Sequence, residues 1–373
     1  MKVLHLISRI VVGVVFIFSG FVKGIDPLGT AYRFEDYFIV WNAHWMMPYA
    51  LTLSIVGSAM EFILGVVILL NLKPKVGSWL LLGVMTFFTL LTLNDAIYNP
   101  VPDCGCFGDA ITLTNWQTFY KNVVLMVFTL ILVGWRNKTR DEHGNFKSYG
   151  IAAVVLSLFV GFSIFCYRHL PLIDFMDWKV GNKMYNDNPL PVKYFLTYKN
   201  KETGETKEYL SPDYPYNDSV WMSKWEFADQ RIEDPNSFKG HDLQIMDSTG
   251  TDLTDLVIQN PEYQFMLVAW ELETANQTAL TGINEFADKA MEAGYGFIGL
   301  TSSLSEVIDS TRARLKLNFD IYMADDIALK IMVRANPGLL LLKEGVVIDK
   351  WHYNDFPSYN DFENKYLIPN KEK

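Results

Sequence analysis

The chain has 373 residues, half of them hydrophobic, and a formal net charge of −10. Its length suggests two or three domains, and the acidity is confined: residues 171–373 hold 20 Lys and Arg against 33 Asp and Glu, residues 1–148 hold 11 against 9. Such an acidic surface keeps a domain soluble and excludes nucleic acid as a partner, because phosphates need a basic face.

Five apolar blocks come first, at about Leu4–Val22, Tyr49–Leu70, Val76–Ile97, Phe119–Trp135 and Tyr149–Tyr167. Each approaches the roughly 20 residues a helix needs to cross a bilayer. The first block has the charged start of a signal peptide (Lys2, Arg9). Lys23-Gly24-Ile25-Asp26-Pro27 follows it in place of a small-residue cleavage site, which predicts a retained helix. Next, "AYRFEDYFIVWNAHWMMP" interleaves aromatic rings with Arg33, Glu35 and Asp36. That mixture suits an interfacial anchor, with a lid over a quinone-sized groove as the second reading. Glu61 lies deep in the second block; an intramembrane carboxylate is either functional or a hydrogen-bonded packing residue. Lys23 and Asp95 lie nearer the outer boundary and are expected to snorkel.

Cationic residues set the orientation. Lys73, Lys75, Arg136, Lys138, Arg140 and Lys147 fall on one side, whereas the opposite loops, 24–48 and 98–117, contain only Arg33. This predicts a cytoplasmic N-terminus, with the second of those loops and the acidic tail outside. In that outer loop, "NPVPDCGCFGDAI" carries Cys104 and Cys106 around Gly105. Outside the membrane a disulfide persists, and a ring closed over one glycine is strained enough to exchange. An exchanging pair, a structural disulfide and inert thiols all remain open. The neighbouring carboxylates Asp103 and Asp109 would raise thiol pKa. Cys166, near the outer end of the fifth block, is the third thiol, and the six scattered His residues predict no metal site.

Beyond the fifth block, "PVKYFLTYKNKETGETKEYLS" reads as a hairpin turning at Glu202–Glu205, and "SVWMSKWEFAD" as a further strand. From Gly240 a βα alternation begins. "QFMLVAW", "YGFIGLTS" and "FDIYMA" are strands, each followed by a helical stretch, and "GLLLLKEGVVIDKW" is a closing hairpin. The expected division is a four-helix membrane domain at 1–148, a fifth transmembrane helix at 149–170, a β-rich connection at 171–239 and an α/β domain at 240–373.

Two resemblances attach to these residues. "CGCFG" between two helices, with "SGFVKGIDP" at 19–27 and Glu61, resembles the MauE/DoxX group of four-helix membrane proteins over about residues 4–135. That group is similar in layout to quinone-linked disulfide-forming proteins, and MauE-like members are associated with disulfide maturation in a partner. The resemblance implies an exchanging Cys104/Cys106 pair, an envelope-protein client and a quinone as electron acceptor. It also implies a second thiol pair, and here only Cys166 is left. In the tail, "QFMLVAWELETANQTAL" and "RANPGLLLLKEGVVIDKW" resemble a thioredoxin-like fold. By that resemblance Pro337, after Asn336, is the cis-proline, and Thr274-Ala275-Asn276-Gln277 stands at the place of the catalytic Cys-X-X-Cys. No cysteine follows Cys166, so the tail has no thiol chemistry; backbone near Asn336 and Pro337 is left to bind an extended peptide. Two functions fit: an inner-membrane thiol–disulfide oxidoreductase or maturation factor acting on envelope proteins, or a non-catalytic membrane scaffold whose tail recruits an envelope partner or membrane complex.

Overall fold

The protein is seen in a computed structural model that describes residues 2–139, 144–185, 191–233 and 243–368. Arg140, one of the cationic loop residues, and the 239/240 boundary lie outside the described residues. The apolar blocks become α1 (Lys2–Ile25), α3 (Ala50–Leu69), α4 (Pro74–Tyr98), α5 (Asn115–Trp135) and α6 (Asn145–His169), with the shorter α2 (Pro27–Val40) between the first two. Among the described residues, five helices are long and apolar enough to cross a membrane.

Polar residues outside the apolar runs set the helix ends. Asp26 caps α2, its carboxylate accepting from Gly29 N at 2.8 Å, and Pro27 opens the first turn. Thr114 and Gln117 form a reciprocal capping box, so α5 starts at Asn115, four residues ahead of its apolar block.

Val12 and Phe16 (α1), Leu64 and Ile68 (α3), Leu81 and Met85 (α4), and Leu125 and Leu132 (α5) make one four-helix core. In lipid, helices associate through close packing rather than water exclusion, which favours small residues at crossings. At the α1–α3 crossing a Cβ on Gly20 would stand 2.5 Å from the backbone N of Phe62, and one on Gly65 2.6 Å from that of Ile17. Those atoms cannot yield without moving a helix. Gly20→Leu is therefore expected to cost about 1–3 kcal/mol or more, read as a lower thermal midpoint in detergent; an unchanged midpoint would show that the helices do not cross there. α6 lies against this bundle, with Phe159 stacked on Phe62 at 4.4 Å between ring centroids.

The soluble part has two sheets. β1 (Lys193–Asn200), β2 (Thr206–Leu210) and β3 (Trp225–Glu233) form an antiparallel sheet in the order β2-β1-β3. The expected strand over 219–229 holds only from Trp225, in β3; its first half, Ser219–Lys224, is instead a short helix, α7. Asp218 accepts from Val220 and Trp221 N, and the turn packs the Trp221 ring on Tyr198 and Tyr209.

α8 (Thr254–Ile258) leads to β4 (Gln264–Val268). Two short helices follow, α9 (Gln277–Gly282) and α10 (Asn284–Glu292), where the pattern predicted one. The chain continues through β5 (Gly296–Thr301), α11 (Ser305–Leu315), β6 (Asp320–Met323), α12 (Asp326–Met332), β7 (Gly338–Lys343), β8 (Val346–His352) and α13 (Tyr359–Phe362). The sheet order is β6-β5-β4-β7-β8, with β4, β5 and β6 parallel and β7 and β8 antiparallel. One core covers each face, as the near-continuous apolar runs of β4 and β7 require. Trp178 and Met184, from the segment after α6, are buried in one of these cores. The segment leaving the membrane is thus part of the tail domain's packing.

Candidate functional site

The two thiols meet because their loop turns sharply. Gly105 has φ +61°, and its N–H donates to Asp103 Oδ1 at 2.8 Å. Gly108 N closes the turn on Gly105 O at 3.0 Å. The Cys104 and Cys106 sulfurs lie 2.7 Å apart, both half-buried. Gly105 is required twice over. A side chain resists its left-handed backbone, and a Cβ there would lie 2.9 Å from Cγ of Arg33. Gly105→Ala should destabilise the loop by about 1–2 kcal/mol and slow formation of the Cys104–Cys106 disulfide, measured as the rate of disulfide closure after reduction; closure at the native rate would contradict this geometry.

The hydrogen bond shared by the two sulfurs pulls the Cys106 thiol down to about 6 against the opposing effect of burial, and Lys121 and Lys23 pull the same way. Cys104 is raised, first by that bond and then by burial. In the reduced pair these effects favour the thiolate on Cys106 over Cys104. Nearby carboxylates predicted raised thiols; the hydrogen bond between the two sulfurs first, and then Lys121 of α5 and Lys23 of α1, reverse that expectation for Cys106.

Below the pair lies a polar seam inside the bundle. Ser19 Oγ is 2.7 Å from the Cys106 carbonyl oxygen and 2.6 Å from Glu61 Oε2. Its single proton donates to one of them at a time. Lys23 Nζ reaches both Glu61 oxygens, at 2.7 and 2.9 Å. Lys23 therefore does not snorkel; it turns inward because an ionised Glu61 in lipid needs a counter-charge. Asp95 does not snorkel either: it is fully buried and accepts from Tyr37 Oη at 2.6 Å. A cavity of about 30 Å³ touches Ser19, Lys23, Glu61, Phe88, Cys106 and Lys121.

Above the pair, the flanking carboxylates are engaged by arginines. Arg33 reaches Asp103 at 3.0 Å and Asp109 at 3.8 Å. Arg334, at the end of α12, is buried between Asp26 at 2.7 Å and Asp109 at 2.9 Å. The tail domain is thereby docked on the thiol loop. α2 is more than the anchor its aromatics suggested: Tyr32 packs edge-on against Trp270 of the tail, Arg33 covers the loop, and Tyr37 holds Asp95.

The expected tail site is assembled without sulfur. The Asn336–Pro337 peptide is cis. Asn336 Nδ2 donates to Glu271 O at 3.0 Å and to Thr274 Oγ1 at 3.2 Å, and Asn276 N donates to Asn336 O at 3.1 Å. Pro337 is buried, and Cys166 is buried within α6. Among the described residues no group of three or more His, Cys, Asp or Glu converges to hold a metal ion. Sequence reasoning missed Lys121 and Arg334, and met Ser19 only as the first residue of "SGFVKGIDP". Lys121 and Asn122 interrupt the fourth apolar block, which was the available signal for one of them.

Fold and site together define a multi-pass membrane protein with a paired-thiol loop and a thioredoxin-like domain that lacks thiols. The family model described as Methylamine utilisation protein MauE matches residues 1–136, so α1 to α5 are MauE-like and α6 lies beyond the match. A comparison with curated proteins found no match. Three similar solved structures cover the soluble part. A candidate protein disulfide isomerase from Bacteroides thetaiotaomicron is 12% identical, with 35% of this chain and 86% of that one covered and a TM-score of 0.28. The thioredoxin domain of a thiol-disulfide oxidoreductase from Bacteroides vulgatus is 13% identical, with 34% and 98% covered and a TM-score of 0.27. The bacterioferritin comigratory protein of Xanthomonas campestris is 14% identical, with 35% and 90% covered and a TM-score of 0.25. The thioredoxin-like description itself rests on this chain's strand order and on the cis peptide between α12 and β7.

Proposed function

We propose that the protein is a thiol–disulfide oxidoreductase of the inner membrane that acts on thiols of envelope proteins, with its N-terminus cytoplasmic and its thiol loop and tail on the periplasmic side. The observation that carries this reading is the geometry of the pair: the Cys104 and Cys106 sulfurs lie 2.7 Å apart, both half-buried, where a disulfide between them can close and open. A client thiolate attacks Cys104 Sγ of the disulfide. The Cys104–Cys106 bond breaks and its electron pair stays on Cys106, the better leaving group because its thiol is the more acidic. The client's second thiolate then attacks its own sulfur in the mixed disulfide, and Cys104 leaves and takes up a proton. Two electrons now reside on the pair and pass on to an acceptor.

By resemblance that acceptor is a quinone. Lys121 is the lining cation for its carbonyls, since Lys23 is held by Glu61 and Asn122 Nδ2 by Thr92 and the Phe88 carbonyl, and Phe88 and Phe107 offer aromatic walls. The cavity, at about 30 Å³, has room for about one water and not for a quinone ring. The site as shaped does not fit the group, and no step is drawn through it.

A pH profile tests the asymmetry. Thiolate is the reactive form, so alkylation of Cys106 in the reduced protein should rise through a midpoint near 6. Cys104→Ser removes the leading cause and should move that midpoint up, toward the ordinary thiol range near 8.5. Identical profiles in the two proteins would remove the basis for assigning Cys106 as the leaving group.

A further inference from the structure

The tail has no thiol, yet it is docked directly on the thiol loop. The contact is electrostatic in character. Asp103 immediately precedes Cys104, Asp109 lies three residues beyond Cys106, and Asp26 closes the same corner. Arg33 from α2 meets Asp103 and Asp109, and Arg334 from the tail meets Asp26 and Asp109. The other charged groups around the loop are Asp36 beside Arg33, Lys121, and the Lys23–Glu61 pair below. Without the arginines, three carboxylates would face any anionic sulfur approaching the pair. One uncompensated unit charge within about a Debye length slows an approaching anion roughly several-fold in a partly screened site.

We propose that the thioredoxin-like tail completes the exchange site by donating Arg334, which with Arg33 offsets Asp26, Asp103 and Asp109 so that anionic sulfur can reach the pair. Both arginines are positioning residues. The inference rests on the oxidoreductase reading and gives the thiol-less tail a chemical part in it. Arg334 is two residues upstream of Asn336, so the docking arginine and the cis-proline belong to one connection of the tail, between α12 and β7.

The test uses the full-length reduced protein and two small disulfides of opposite charge, the dianionic 5,5′-dithiobis(2-nitrobenzoate) and the dicationic cystamine. In either reaction a protein thiolate attacks one reagent sulfur and releases a reagent thiolate. The second cysteine then displaces the other, leaving Cys104–Cys106 oxidised, one reagent disulfide reduced, and the thiol protons in solvent. Arg33→Gln and Arg334→Gln should each lower the ratio of anionic to cationic rates about fivefold. Arg33→Lys and Arg334→Lys keep the charge and should stay within about twofold of wild type. Because the readout is a ratio within one protein, a general loosening of the fold, which changes both rates together, does not imitate it. An unchanged ratio in both Gln variants, equal changes in both rates, or Lys variants that fall as far as the Gln variants would each overturn the proposal. Failure of the oxidoreductase reading looks different: neither disulfide would then oxidise the wild-type pair.

Discussion

Replacing Cys106 by Ser in the full-length protein, with Cys166 also changed to Ser, should convert the pair into a trap. Cys104 then attacks the disulfide of an already oxidised client, the reverse of the step that releases it, and forms a mixed disulfide while the client's second sulfur leaves as thiolate. Exchange normally continues through a neighbouring thiol, and the sulfur 2.7 Å away is the one removed. The adduct should appear as a higher-mass band that collapses on reduction and is absent from the Cys104→Ser/Cys106→Ser protein. The reverse single variant, Cys104→Ser, should trap far less, since the remaining Cys106 faces the seam of Ser19, Lys23 and Glu61 rather than the client side. A structural pair behaves otherwise: the single variants lose stability and gain no specific partner. No reducible adduct, at unchanged protein levels in the membrane, would favour the scaffold function.

The second large effect belongs to Glu61. Glu61→Leu leaves Lys23 charged among apolar helices with its carboxylate gone, and breaking a buried pair on one side costs about 3–5 kcal/mol. Lys23→Met combined with Glu61→Leu removes both charges and should recover most of that loss, because a well-packed apolar replacement of a buried pair is often neutral. Thermal unfolding in detergent measures both. A single variant costing under about 1 kcal/mol would mean that water or lipid headgroups already solvate Lys23, contrary to its 2.7 Å contact with Glu61. The double variant also separates roles. If it folds but exchanges slowly, the seam serves the chemistry through Ser19, whose hydroxyl touches both Glu61 and the Cys106 carbonyl.

The elements were legible where one physical signal dominates. Length and apolarity placed all five membrane-length helices within a few residues, and short apolar runs alternating with helical stretches placed the strands from Gln264 onward. Errors arose where short polar signals compete with the pattern. Asp218 turned an aromatic stretch into α7, and the Ser358–Asp361 capping box started α13, which puts Phe362 into the core against Phe265. The site was half legible. A Cys-X-Cys in an outer loop announces itself, and Glu61 stands out as a carboxylate in an apolar run. The partners of these groups do not announce themselves. Lys23 reads as a boundary lysine until Glu61 is opposite it, and Arg334 is one of many charges in an acidic tail until docking places it between Asp26 and Asp109, 308 and 225 positions away. Burial and pairing of charges are properties of tertiary contact, which periodicity and composition do not encode.

The cycling of Cys104 and Cys106 between disulfide and dithiol is the central claim, and acid trapping with a mass-tagged maleimide measures it directly. In intact cells the pair should be reduced by a short pulse of dithiothreitol and should return to the disulfide after washout, while purified protein without an acceptor stays reduced. A pair that is fully tagged, or fully resistant, at every stage of the pulse would contradict the account.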